Sequence, residues 1–153
     1  MGPHPAFEHY RIPDDHQIGP YRLTRLTGAD VEEDFRAVTA SEYHLVGLFD
    51  DGWPRGLSFE ENAVDLAWHD KEFRDHRSFA WVIRAGDGMG AGHSDRYLGC
   101  AYVYPSWTPG HATALFWFRS GATDHADPFD KYWHRWLEGP DWPHFEWSWR
   151  RKP

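Results

Sequence analysis

The sequence holds one cysteine, Cys100, so no disulfide can close within the chain. Its apolar, strand-like surroundings suit a buried thiol better than a reactive one. A reducing compartment follows, and a cytoplasmic location is expected. Long apolar runs are also missing: no stretch approaches the roughly 20 residues of a membrane-crossing helix, and the N-terminus lacks the charged-then-apolar pattern of a secretory signal. Positive charge is scarce. With 16 Lys and Arg against 24 Asp and Glu, the formal net charge is -8, which repels phosphate backbones and acidic lipid surfaces at long range. Neither nucleic acid nor a membrane is an expected partner. The basic run Arg150-Arg151-Lys152 falls in the last residues, where chain ends commonly fray, and reads as a solvated tail over residues 151–153.

Aromatic residues are abundant instead. Of 10 tryptophans, Trp117, Trp133, Trp136, Trp142, Trp147 and Trp149 fall in the last quarter, which is expected to supply much of the core or an aromatic-lined pocket. A length of 153 residues suits one domain that removes roughly 70% of its unfolded surface from water. Residues 1–20, with Pro3, Pro5, Pro13, Gly19 and Pro20, read as an irregular leader. The folded domain is expected over residues 21–150.

Within it, Tyr21–Leu26 reads as an edge strand, and Thr27 as the cap of a helix carrying Val31, Phe35 and Val38 at i, i+4 and i+7. Ser58-Phe59-Glu60-Glu61 is a capping box opening a helix to about His76, with Phe59, Ala63, Leu66 and Phe73 inward. Phe79–Arg84 and Leu98–Tyr104 read as a hairpin. Thr113–Arg119 reads as a central strand buried on both faces. Asp127-Pro128 opens another helix, with Asp127 as cap and Phe129, Trp133, Trp136 and Leu137 inward. Phe145–Trp149 alternates as a last strand. The order is β-α-α-β-β-β-α-β, an α/β (α+β) fold with a mixed, mostly antiparallel sheet, helices on both faces, and one crossover that makes the last two strands parallel.

Element order, together with Tyr21-Arg22-Leu23-Thr24-Arg25-Leu26-Thr27, Asp65-Leu66-Ala67-Trp68-His69, Ser78-Phe79-Ala80-Trp81 and Leu98-Gly99-Cys100-Ala101-Tyr102-Val103-Tyr104-Pro105, resembles the GNAT (Gcn5-related N-acetyltransferase) superfamily, particularly its short bacterial members. The resemblance implies an acyl-CoA-dependent N-acyltransferase that takes a small amine. In the family, acetyl-CoA lies between two splayed strands, and a Gln/Arg-x-x-Gly-x-Gly/Ala turn wraps its diphosphate at a helix N-terminus. By position, the cofactor would meet Phe116, Trp117, Phe118, Arg119, Ser120, Gly121 and Ala122, with the thioester between Leu115–Arg119 and Phe145–Trp149. This sequence departs from the motif: only Arg119 and Gly121 are of a helpful type, and Asp124, Asp127 and Asp130 place acid at a helix start that should attract phosphate. The family's last helix and two strands are expected to be missing as well. A homodimer paired through the last strand, with Trp147 and Trp149 on its open edge, would complete the site.

The resemblance implies catalytic roles for Glu42 and His44, on the acceptor side of the cleft, and for Tyr104 at a strand end. His44 would take a proton, Glu42 would orient an amine, and Tyr104 would protonate the leaving thiolate. The plainer readings are an imidazole packed between Tyr43 and Leu45, and a core tyrosine. Asp65, His69, Glu72 and His76 share a helix face at i, i+4, i+7 and i+11, a spacing that permits a metal, but no zinc-protease pattern accompanies them, and a solvated face is the reading adopted. No metal is expected. Gly88-Met89-Gly90-Ala91-Gly92 precedes a strand rather than a helix and reads as a hairpin loop. The alternative function is a fold of this type that has left coenzyme A behind and binds or transforms an apolar or aromatic small molecule in a tryptophan-lined cleft.

Overall fold

The computed structural model describes residues 2–49, 51–86 and 96–152. Its six strands lie in sequence order across one sheet: β1 (Asp15–Ile18), β2 (Tyr21–Arg25), β3 (Phe79–Ala85), β4 (Tyr97–Pro105), β5 (His111–Phe118) and β6 (Glu146–Lys152). Every neighbouring pair is antiparallel except β5 with β6. The parallel pair follows from α4 (Ala126–Leu137), which carries the chain back across one face of the sheet. Helices α1 (Val31–Ala40), α2 (Glu42–Leu45) and α3 (Phe59–Arg74) lie between β2 and β3 in sequence. The glycine-rich run 88–92 falls outside the described residues.

Alternation along the strands divides the core in two. On one face, Ala114, Phe116 and Phe118 of β5 meet Phe129, Trp133 and Trp136 of α4, and on the other Leu115 and Trp117 meet Val38 of α1 and Leu66 of α3. The α4 stripe is inward as its spacing predicts, and Ser58 and Glu61 form the expected capping box of α3. Leu66 and Phe73 of α3 are inward too, whereas Phe59 stays exposed and Asn62 is buried in its place. Phe59 instead takes an edge-on contact from Phe35, ring centroids 5.5 Å apart.

Four further expectations change. The leader is ordered: Phe7 and Ile12 enter the core, and β1 pairs with β2 through a Gly19-Pro20 turn. Proline density marked a chain without regular helix, but it left room for a four-residue strand. Residues 150–152 are strand rather than frayed tail, because Arg151 reaches Asp127 Oδ1 at 2.6 Å and Asp130 Oδ2 at 3.6 Å, and stands over the Phe116 ring. β5 is buried on both faces yet lies one strand from the edge. Asp127 is not a cap: a 3-10 turn at Thr123–His125 runs straight into α4, which starts one residue before it.

β6 is an edge strand, but Trp147 and Trp149 are not on open display there. Trp149 stacks on His134 of α4 at 3.5 Å between centroids, and Trp147 packs on Trp142 and Phe145. Both rings are thereby partly buried against the chain's own core.

Candidate functional site

Two cavities open on the sheet face that carries α1 and α3. The first, about 410 Å³, lies where β5 ends. Its wall brings together Arg36, Arg96, Arg119, Ser41, Ser120 and Tyr97. The turn after β5 is tight: the Ala122 amide donates to the Arg119 carbonyl at 2.9 Å, and Gly121 adopts a left-handed φ of 89°. Ser41, buried at the end of α1, accepts the Ser120 amide on its hydroxyl at 2.9 Å. Two of the amides that a phosphate-wrapping turn would offer are thus already taken.

What the cavity offers instead is guanidinium groups. Arg119 is fixed by a 2.9 Å bond from Nε to the Tyr97 carbonyl, and its pKa is lowered by burial first and by the nearby positive charge of Arg96 second. Arg36 and Arg96 make no ion pair with the other described residues. The one acidic side chain on the wall, Glu33, is drawn to Arg84 at 3.7 Å. In a chain of net charge -8, a concave site with three arginines is a local reversal of sign, suited to an anion with several oxygens. The expected repulsion from the start of α4 is also reduced, since Arg151 neutralises Asp127 and Asp130.

The second cavity, about 230 Å³, lies farther along β4. Tyr102 and Tyr104 stack at 6.1 Å between centroids, and His69 of α3 leans on both. Phe49 and Trp53, from the segment joining α2 to α3, close the opposite side. Burial alone drives the His69 pKa down to about 4, so its imidazole is neutral near pH 7. Burial raises that of Tyr104 well above the usual phenol range, and this hydroxyl keeps its proton. Asp34, Asp51 and Asp65 also line the space, with no lysine or arginine among its described walls.

The sequence-predicted site residues do not converge. His44 Nε2 donates to the Phe118 carbonyl at 3.0 Å, and Glu42 Oε1 accepts from the Gly56 amide at 3.3 Å. Tyr104 pairs with Thr113, five residues along β5 from Phe118, a separation of roughly 17 Å. His44 and Tyr104 therefore do not address the same atom. Phe116, Trp117 and Phe118 are core side chains, and both edges of β5 are bonded, to β4 and to β6, as far as Trp117. That ladder leaves no opening between Leu115–Trp117 and β6, which corrects the expected seat of the thioester. Of the helix face at 65, 69, 72 and 76, Asp65 and His69 line the second cavity, and His76 lines a separate one with Arg11, Asp14 and Arg25. Glu72 lies 3.5 Å from Arg77, and His76 packs on Phe79. No group of three or more His, Cys, Asp or Glu among the described residues is placed to hold a metal ion.

Asp34, Trp53 and Tyr102 were not read as site residues from the sequence. Asp34 sits on the inward stripe of α1, three residues after Val31 and four before Val38, and a carboxylate at such a position is the signal that was available.

No protein-family model and no curated protein matches the sequence. Solved structures do match in shape. The ribosomal L7/L12 alpha-N-protein acetyltransferase RimL, in complex with coenzyme A, superposes with a TM-score of 0.64 at 11% identity over 83% of this chain and 70% of its own. The microcin C7 self-immunity acetyltransferase MccE, in complex with acetyl-CoA and AMP, gives 0.57 at 10% identity over 79% and 67%. The ribosomal-protein-S5-alanine acetyltransferase from Vibrio fischeri gives 0.54 at 11% identity over 78% of this chain and 66% of that enzyme, just under two thirds of its length. Sheet order, the α4 crossover and these superpositions agree: the chain has the fold of the GNAT acetyltransferase superfamily.

Proposed function

We propose that the chain is an acyl-CoA-dependent N-acyltransferase acting on a small amine. The observation that carries this reading is the arginine cavity at the end of β5, next to the turn that by position corresponds to the diphosphate turn of the fold. Arg36, Arg96 and Arg119 fit a diphosphate through charge and paired N–H donors, taking over from the backbone amides that Ser41 and the Arg119 carbonyl occupy. Gly121 lets the backbone turn there without a side chain in the way.

The acyl thioester supplies an activated carbonyl; the amine nitrogen forms the C–N bond, the C–S bond breaks, and the proton lost by nitrogen converts the departing thiolate to a thiol. The chain's own contribution is chiefly positioning. Because the β5–β6 ladder is closed as far as Trp117, an acyl arm would have to pass along the α1 face beyond Phe118 rather than between the strands. His44, with Nε2 held by the Phe118 carbonyl, presents Nδ1 as a proton acceptor near that end of β5, and Glu42 adds negative charge on the same short helix. Tyr104, which keeps its proton, belongs with the second cavity.

The closed ladder also supports a second reading, in which the fold no longer uses coenzyme A and the aromatic cavity holds an apolar ligand. One titration separates the two. Calorimetry with coenzyme A and acetyl-CoA, with thermal unfolding alongside, is expected to show saturable heat and a raised midpoint. No heat and no shift at about 2 mM ligand would remove the acyl-transfer reading, since even a Kd of about 1 mM fills roughly two thirds of the sites and stabilises the fold by roughly 0.7 kcal/mol.

A further inference from the structure

We infer that the cavity between α3 and β4 is a binding site for a small organic ammonium ion carried on an aryl or alkyl body. Its walls combine the two features that a cation of this kind needs. Aromatic side chains come from three separate segments: Tyr102 and Tyr104 from β4, Phe49 and Trp53 from the segment before α3, and Trp68 from α3, a residue 48% exposed. A ring face attracts a cation through its quadrupole, and several faces around one small volume form a cage that is selective for positive charge over a neutral group of the same size.

The second feature is uncompensated negative charge. Asp34, the deepest carboxylate, already accepts from the Tyr97 hydroxyl and from Asn62 Nδ2, the latter at 2.9 Å. Asp51 Oδ1 accepts the Trp53 amide at 3.0 Å. Asp65 makes neither a hydrogen bond nor an ion pair with the described residues. Its acidity is weakened by partial burial first and then by the charges of Asp51 and Glu61, which is the field of a site that gains from an incoming cation. No described Lys or Arg lines the space to satisfy it from within.

His69 supplies an independent observation. Its ring lies against Trp68, Tyr102 and Tyr104 and makes no hydrogen bond to another described residue. A neutral imidazole held this way offers one ring nitrogen as an acceptor, and an ammonium N–H is the donor that would satisfy it. A cavity of about 230 Å³ suits an ammonium with a single ring or a short alkyl chain. The inference concerns a cation site and stands apart from the acyl-transfer reading, whose proton acceptor His44 lies at the Phe118 end of β5.

The test uses the full chain and three probes at pH 7: 2-phenylethylamine, its neutral isostere 2-phenylethanol, and coenzyme A. The amine is expected to saturate with quenching of tryptophan emission, and the alcohol to bind at least roughly tenfold more weakly. Asp65→Asn removes one charge at constant volume from an exposed helix position. It is expected to weaken the amine by roughly tenfold while leaving the alcohol and coenzyme A unchanged. Trp68→Ala should weaken both aryl probes. Equal affinity for amine and alcohol, an Asp65→Asn chain that binds the amine as the parent does, or no saturation at about 10 mM overturns the cation site. Amine binding without coenzyme A binding keeps the site and removes the acyl-transfer reading, and the converse keeps that reading and removes the site.

Discussion

The hydroxyl of Tyr97, at the start of β4, donates its proton to Oδ1 of Asp34, a carboxylate only 3% exposed in the middle of α1. Asn62 of α3 donates to the other oxygen at 2.9 Å, so one buried side chain ties two helices to the sheet. Burial pushes the Asp34 pKa upward, and the hydrogen bonds from Tyr97, Asn62 and Cys100 pull against that shift. Tyr97→Phe removes the hydroxyl donor and leaves the buried Oδ1 of Asp34 with only the weaker Cys100 Sγ contact at 3.6 Å. The expected loss is about 2 kcal/mol in urea unfolding at pH 7, with the m-value unchanged. A loss within about 0.3 kcal/mol would mean that the Tyr97 bond contributes little to holding α1 on the sheet.

Gly99 of β4 pairs with Phe118 of β5. A Cβ placed there would collide with the Trp117 carbonyl oxygen and stand 2.9 Å from the Phe118 Cα, and neither backbone atom can move without breaking the ladder. The register shift between Ile83 and Arg84 lies opposite the same stretch of β4, where Ile83 pairs with Gly99 and Arg84 with Tyr97. Gly99→Ala is therefore expected to cost on the order of 3 kcal/mol and to appear as a lowered thermal midpoint, or as insoluble protein on expression. Gly2→Ala, where a Cβ meets nothing within 4 Å, is the matched control and should leave the midpoint in place.

His69 gives the protein a pH-dependent term of definite sign. Its pKa falls to about 4 on folding while the unfolded value is about 6.5. Between those limits the unfolded chain binds more protons, so stability is full above about pH 6.5 and declines as the pH drops toward 4. The ring is partly accessible from the cavity, and the contribution is on the order of 2 kcal/mol across that window. His69→Gln, which carries no titrating ring, should flatten this part of a stability profile measured by urea unfolding between pH 4 and 7. A variant profile parallel to the parent's would assign the acid sensitivity elsewhere.

The fold was legible because its signals are local and repeated. The capping box at Ser58 and Glu61, the inward stripe from Phe129 to Leu137, and the unbroken apolar run of β5 each state their own geometry. The site was less legible because its pieces are distant in sequence. Asp65 and His69 were visible as a helix face, but nothing in that helix says that Tyr102 and Tyr104 lie across from it. Ser41 and Ser120 stand 79 residues apart, and only the folded chain shows the hydroxyl of one filling the amide of the other. His44 was singled out as a proton acceptor, and the structure holds its Nε2 on a backbone carbonyl. The imidazole that lines the aromatic cavity without a hydrogen bond to another described residue is that of His69 on α3, part of a spacing that permits a metal and reads as a solvated face.

The arginine cavity yields a prediction that does not depend on turnover. Arg119 also holds the Tyr97 carbonyl, so replacing it would mix binding with folding. Arg36 and Arg96 have no such second duty among the described residues, and both side chains reach the cavity from exposed positions. The double replacement Arg36→Gln, Arg96→Gln is expected to leave the thermal midpoint within about 2 °C of the parent, as exposed substitutions usually do. Coenzyme A should then bind roughly tenfold or more weakly, because two charge-assisted contacts to phosphate oxygens are lost. The parent's affinity should fall as salt is raised from about 50 to 300 mM, and the variant's should fall less, since screening acts on charges it no longer has. A variant that binds coenzyme A as tightly as the parent, with the same salt dependence, would place the phosphates away from the end of β5 and leave the three arginines without a ligand.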